Sequence, residues 1–241
     1  MHDKPVRHPI DRRRMLILSG AGVAAIAAGP TIAQVGGEVD LILVLAVDCS
    51  YSVDAREFRL QMDGIGHAFK TKEVQRAIES GPHGKIAVTI FQWSDAENQS
   101  LSTPWTIING ADSANAFAQK VYSIERELNE GGTAIGAALL FGAAAITAAP
   151  FTALRKVIDV SSDGRNNRGD IVEVARDEVI SRGITINGLA ILNEWPTLDK
   201  YFEKSVVGGP YHFVLPANDY EAYREAIYRK LLKEITGPGL S

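Results

Sequence analysis

Two periods of hydrophobicity alternate along this chain. The run VDLILVLAV (39–47) is apolar at nearly every position, the pattern of a strand buried on both faces. KIAVTIFQW (85–93), RKVIDVS (155–161) and ITINGLAIL (184–192) read as further buried strands. STPWTIIN (102–109) reads as an edge strand because of Pro104, and YHFVLP (211–216) as the last strand. Between them lie helical segments. Residues 54–80 form one, opened by a capping box of Asp54 and Glu57 and with a break near Gly64 and Gly66. Residues 112–129 place Phe117, Val121, Ile124 and Leu128 at helical spacing. Residues 133–149 form a helix of small side chains, 170–182 one closed by Gly183, and 195–207 a short one. The final helix, 218–236, is capped by Asn218 and Glu221 and stopped by Gly237-Pro238.

Strands alternating with helices predict a doubly wound α/β fold. The expected sheet is mostly parallel and six-stranded, with one antiparallel edge strand and helices on both faces. In such a sheet, ligands sit at the carboxyl ends of the strands, where strand order reverses.

The first 33 residues do not continue this pattern. Arg12, Arg13 and Arg14 precede an Ala/Gly-rich apolar run from Met15 to Gly29, then small residues ending at Ala33. That order predicts a bacterial export signal of twin-arginine character over 1–33, one domain over 34–241, and a periplasmic or extracellular location. The apolar run is short of the ~20 residues that span a bilayer, so an uncleaved anchor is the alternative. No other stretch is apolar and long enough to span one. The segment 1–33 carries five basic and two acidic residues, leaving 20 basic and 27 acidic beyond it, a net charge of -7. That acidity argues against nucleic acid and anionic lipid as partners. The lone cysteine, Cys49, has no partner for an internal disulfide and reads as a small buried filler.

Three separated segments bring oxygen donors to predicted strand or helix ends. They are Asp48, Ser50 and Ser52 in DCSYS, Thr133 in GGTAIG, and Asp163 in SSDG. Each alone has an ordinary explanation: a turn at Asp48 or Asp163, a helix cap at Ser52 or Thr133. Together they form a set of hard oxygen donors suited to Mg²⁺, Mn²⁺ or Ca²⁺. Extended backbone would turn positions 48, 50 and 52 to one side. With only two carboxylates among five donors, the bound ion stays electrophilic and seeks an anion. Tyr51, Trp93, Ser94, Asp95, Arg165, Asn166 and Asn167 would border it.

Asp48-Cys49-Ser50-Tyr51-Ser52, Thr133 and Asp163-Gly164 resemble the metal-ion-dependent adhesion site of von Willebrand factor A-type (VWA) domains. The resemblance spans about residues 38–236 and includes the order of strands and helices. It implies that Ser50, Ser52 and Thr133 contact the ion, that Asp48 and Asp163 act directly or through water, and that a Glu or Asp of a partner protein completes the octahedron. Cys49 and Tyr51 occupy the variable positions, and SSDG replaces the frequent TDG. Through FQWSDAENQ, PWTII, GGTAIG and DGRNN the chain also resembles exported bacterial VWA-like proteins of unknown function. The expected function is therefore a divalent-metal-dependent protein-binding module rather than an enzyme. A metal-assisted hydrolase and a domain merely braced by its metal are the alternatives. The hydrolase lacks a placed general base: His67 and His83 fall at the far end of the first helix, His212 in the last strand, and Asp95 with Glu97 reads as a solvated loop. There is no G-x-S-x-G, no HExxH and no Gly-rich phosphate loop.

Overall fold

The structure, a computed structural model, describes residues 36–128 and 131–237. The predicted export signal lies outside them. In chain order the elements are β1 (Leu41–Asp48), α1 (Ala55–Lys70), α2 (Lys72–Glu79), β2 (Ile86–Trp93), β3 (Gln99–Leu101), β4 (Thr106–Ile108) and α3 (Ala111–Tyr122). There follow α4 (Ile135–Ala148), β5 (Arg155–Ser162), α5 (Val172–Ser181), β6 (Thr185–Ile191), α6 (Leu198–Tyr201), a π-turn (Phe202–Val206), β7 (Val214–Ala217) and α7 (Tyr223–Thr236).

Strands pair in the order β3-β2-β1-β5-β6-β7, parallel except for β3 and β4, which both lie antiparallel on β2. β1 and β2 are buried at every position, as unbroken apolar runs require. Side-chain alternation along β1 divides the molecule into two cores. Leu41, Leu43, Leu45 and Val47 pack with α1, α2, α3 and α7, while Ile42, Val44 and Ala46 pack with α4, α5 and α6.

Several boundaries differ from the sequence expectation for identifiable reasons. Of the predicted strand 102–109 only Thr106–Ile108 is strand, and Gln99–Leu101, before that range, is a further short one, which makes the sheet seven-stranded. Thr103 divides them: its Oγ1 accepts from Ile90 N at 2.9 Å, taking a ladder position, and Pro104 has no N–H to offer. The first helical segment breaks at Thr71, whose Oγ1 caps α2, not at the glycines. Gly64 and Gly66 lie inside α1 because a Cβ there would meet Tyr223 at 2.9 Å and Tyr122 at 2.5 Å. α3 ends at Tyr122 because Gln92 of β2 holds the following chain: its Oε1 accepts from Glu127 N at 2.9 Å and its Nε2 donates to Glu125 O at 2.8 Å. α7 starts at Tyr223 rather than 218, with neither Asn218 nor Glu221 capping it; Asp219 Oδ1 accepts from Ala222 N instead. The Asp54–Glu57 capping box forms as expected, with bonds of 2.7 and 2.8 Å.

Helix α7 carries a buried ionic cluster onto the sheet. Lys230 Nζ lies 2.7 Å from both Asp159 Oδ1 of β5 and Glu234 Oε1, and Asn187 Nδ2 of β6 donates to Glu234 Oε1 at 2.8 Å. All four residues are buried. Burial, with the adjacent Glu234 carboxylate, pushes Asp159 up to about 8. Asp159 Oδ2 and Glu234 Oε2 are both buried without a donor, the arrangement of two carboxylates that share one ammonium.

Candidate metal centre

β1 is the strand from which the chain leaves to β2 on one side and later to β5 on the other. The crevice outside the carboxyl ends of β1 and β5 is therefore the switch point of the sheet. Asp48 is the last residue of β1, and Asp163 follows the last residue of β5.

Three segments meet there and are laced together. Ser52 Oγ donates to Asp163 Oδ1 at 2.7 Å, and Ser162 Oγ donates to Asp48 Oδ2, which joins the first segment to the third. Thr133 N donates to Asn167 Oδ1 at 2.9 Å and Thr133 O accepts from Asn167 N at 2.9 Å, which joins the second to the third. Tyr51 N donates to Gly131 O at 2.9 Å, which joins the first to the second. Ser50 Oγ lies 3.3 Å from Ser52 Oγ. A Cβ on Gly164 would stand 3.1 Å from Thr133 Oγ1, so glycine is what lets Thr133 and Asp163 share this corner. The structure thus brings Asp48, Ser50, Ser52, Thr133 and Asp163 to one place.

It does so by a different backbone path from the one expected. β1 ends at Asp48, and residues 50–52 form a turn, not an extension of the strand. Asp48 Oδ1 accepts from Ser50 N at 2.7 Å and Val53 N donates to Ser50 O at 3.0 Å, so the carboxylate itself starts the turn. The hydroxyls converge through that turn. Cys49 points away into the first core, where burial and the nearby Asp48 push its thiol far up.

The capping explanations do not hold for the hydroxyls. Asp54, not Ser52, caps α1, and α4 is preceded by Ala134 with no side-chain cap, so Thr133 is not its cap either. Burial and neighbouring carboxylates hold both acids above the ordinary carboxylate range. Asp48 is raised to about 7, first by burial and then by Asp163, and burial raises Asp163 despite the Ser52 hydrogen bond. Asp163 Oδ2 is buried beside the buried Tyr220 hydroxyl, which favours the Asp163 carboxylate, while burial and Asp163 strongly oppose ionisation of that phenol. Two crowded carboxylates and three hydroxyls fit a hard divalent cation. Among the described residues no three His, Cys, Asp or Glu side chains converge as a metal cluster, so hydroxyls would supply most of the donors at this corner.

Above this corner opens a cavity of about 700 Å³, lined by Tyr51, Thr133, Arg165, Arg168, Glu194 and Trp195 among others. Tyr51 is exposed at the mouth. Trp93, expected to border the ion, is instead fully buried in the second core, paired in register with Asp48, so it cannot face a partner. Asp95 braces the Gly131–Gly132 turn: Oδ1 accepts from Ala96 N at 2.8 Å and Oδ2 from Gly132 N at 3.3 Å, and these bonds lower its pKa. Asn166 lines the cavity, accepts from Gly136 N at 3.1 Å and donates to Asp170 O at 3.1 Å, fixing the start of α4. Arg165 stacks over Trp195 and Tyr201. None of His67, His83 and His212 lines this cavity.

Three contributors were not among the candidate site residues. Arg126 donates to Cys49 O at 2.9 Å, to Ser50 O at 3.4 Å and to Val53 O, clamping the first segment from beneath. Ser162 holds Asp48, and Tyr220 abuts Asp163. Of these, only Ser162 was close to a motif; Arg126 and Tyr220 lie 77 and 57 positions from the residues they serve, beyond any local pattern.

A family model described as "Protein of unknown function (DUF1194)" matches residues 38–239. The chain belongs to that family. No curated protein matches it. Among solved structures, this DUF1194 chain is similar to proximal thread matrix protein 1 from the mussel byssus with a zinc-occupied MIDAS motif, at a TM-score of 0.62 and 15% identity over 83% of this chain and 48% of that one. It is similar to a von Willebrand factor type A protein from Catenulispora acidiphila, with a TM-score of 0.56 and 17% identity over 82% and 43% of the two chains. The pilus adhesin SpaC from Lactobacillus rhamnosus GG gives a TM-score of 0.56 and 13% identity over 82% and 31%. The chain spans under half the length of these proteins. At such identities the likeness shows the fold, which is VWA-like.

Proposed function

We propose that this DUF1194 protein is a divalent-metal-dependent protein-binding module. Asp48, Ser50, Ser52, Thr133 and Asp163 would hold the ion, with Mg²⁺ or Mn²⁺ favoured over Ca²⁺ by the small number of carboxylates. The observation that carries the reading is the junction of Ser52 with the buried Asp163 carboxylate at the sheet's switch point, with Ser52 and Thr133 both free of capping duty. The bound ion would act as a Lewis acid toward a carboxylate of a partner protein, since two protein charges only neutralise it and leave its affinity for an anion. The chain's own residues do the rest. Arg126 and the Asp48 turn fix the loop of Ser50 and Ser52, Asn167 fixes Thr133, and the cavity above admits the incoming group. Support from other proteins is limited to printed titles, a zinc-occupied MIDAS motif in the byssus protein and an adhesin role for SpaC. The export signal read over residues 1–33 would place the module outside the cytoplasm; no helix among the described residues is long and apolar enough to cross a membrane.

Linkage tests the reading. Acetate should tighten Mn²⁺ binding, and Mn²⁺ should tighten acetate binding by the same factor. Chelation should remove acetate binding while the far-ultraviolet circular dichroism stays unchanged. Unfolding on chelation would mark the ion as a brace, and metal binding indifferent to acetate would defeat carboxylate capture.

A further inference from the structure

The mouth of the cavity carries a second feature that carboxylate capture alone does not use. Arg165 is exposed yet held in place. Its guanidinium carbon lies 5.1 Å from the Trp195 ring centroid and 5.4 Å from that of Tyr201, and its Nη2 donates to Thr197 Oγ1 at 3.2 Å. An arginine that served only solubility would not be clasped by two rings and a hydroxyl. Among the described residues no carboxylate lies within ion-pair distance of it, nor of Arg168 across the same cavity. Three or more of its donors therefore remain to be used.

Charge balance gives the sign of what would use them. Asp48 and Asp163 would offset a divalent ion; around the mouth Asp95 acts on Arg168 and Glu194 lines the same cavity, which leaves Arg165 as the cation with no acidic side chain in ion-pair reach. An unpaired guanidinium beside the ion attracts a second acidic group and orients it. Proximity gives the spacing. Arg165 is two residues beyond Asp163, so their Cα atoms are at most ~7 Å apart. A ligand with two acids a few residues apart, at roughly 3.3–3.6 Å per extended residue, suits a metal corner and a guanidinium carried two residues from it. The cavity of about 700 Å³ has room for a short peptide segment, and Trp195 and Tyr51 offer exposed rings beside it.

We propose that the partner is a diacidic peptide segment, with one carboxylate directed to the metal corner and a second, one to three residues away, gripped by Arg165. This inference rests on the carboxylate-capture reading above. Arg165 would act as the specificity anchor, its fork presented by Trp195 and Tyr201 in a fixed orientation.

The test uses the whole chain with saturating Mn²⁺ and capped, fluorescently labelled peptides: Gly-Glu-Gly, Glu-Gly-Glu and Gln-Gly-Gln. Polarisation should show Glu-Gly-Glu binding about tenfold tighter than Gly-Glu-Gly, the worth of one charge-assisted contact. Gln-Gly-Gln should not bind. Arg165→Gln should bring the two acidic peptides to equal affinity, with most of the loss falling on Glu-Gly-Glu and the Mn²⁺ affinity measured without peptide retained. Arg165→Lys should keep only part of the advantage, since a point charge lacks the stacked fork. Equal affinity for the two acidic peptides would overturn the second anchor and leave carboxylate capture intact. So would an Arg165→Gln effect equal on both, which would mark a structural role. Failure of both acidic peptides to bind the metal-loaded chain would overturn capture itself, and the inference with it.

Discussion

Replacing Arg126 tests whether the loop geometry is built from outside the motif. Arg126 is half-buried and its guanidinium donates to the carbonyls of Cys49, Ser50 and Val53, three residues that are themselves almost fully buried. In Arg126→Met the carbonyls of Cys49 and Val53 lose their donor, while Ser50 O keeps Val53 N at 3.0 Å. A dry, unpaired carbonyl costs about 1–3 kcal/mol. Water can reach a half-buried site, so the two together should cost roughly 1–3 kcal/mol rather than their full sum. The loss divides between the fold and the ion. The turn 50–52 can relax in the metal-free protein, but the ion demands its hydroxyls in place, so metal affinity should fall by about 10–100-fold. Arg126→Lys keeps the charge but reaches one carbonyl instead of three, and should fall between. Urea denaturation without metal gives the first share, and Mn²⁺ titration calorimetry the second. An Arg126→Met protein with the wild-type denaturation midpoint and the wild-type Mn²⁺ affinity would refute the clamp.

Other consequences follow from the same geometry. Gly164→Ala places a methyl 3.1 Å from Thr133 Oγ1, so Mn²⁺ affinity should drop by about tenfold or more with little change in melting temperature; unchanged affinity would separate Thr133 from the site. Lys230→Met leaves Asp159 and Glu234 buried without their cation and should cost roughly 3–5 kcal/mol in urea unfolding, whereas a cost under ~1 kcal/mol would show that the cluster is solvated. Asp159, at about 8 in the folded protein, holds a proton that the unfolded chain has lost above the ordinary carboxylate range. Its contribution is thus complete below about pH 4 and is lost progressively as pH rises to about 8, so stability should decline between about pH 4 and 8. Asp159→Asn should flatten that decline, and an unaltered slope would place its origin elsewhere.

The sequence carried the fold further than it carried the site's construction. Unbroken apolar runs at 39–47 and 85–93 marked strands buried on both faces, and helix alternation implied the parallel sheet. What it missed were places where a single tertiary contact overrode local pattern. Thr103 bonding to Ile90 divided an edge strand, and Gln92 gripping 125–127 ended α3 early despite apolar spacing through Leu128. The five candidate ligands were legible because each sits in a short motif next to an element end. Trp93 was misplaced for the same reason: it lies at the tip of β2, but its side chain points into the core. Arg126 and Tyr220 were illegible because their role comes only from the folding of distant segments onto the same corner.

The central claim is tested most directly by titrating Mg²⁺ and Mn²⁺ calorimetrically into the chain, with acetate present, alongside Asp48→Ala, Ser50→Ala and Thr133→Ala. The account predicts one ion per chain for the wild type, and loss of binding in all three variants with circular dichroism unchanged. Undiminished binding in the three variants, or no binding by the wild type even with acetate, would contradict it.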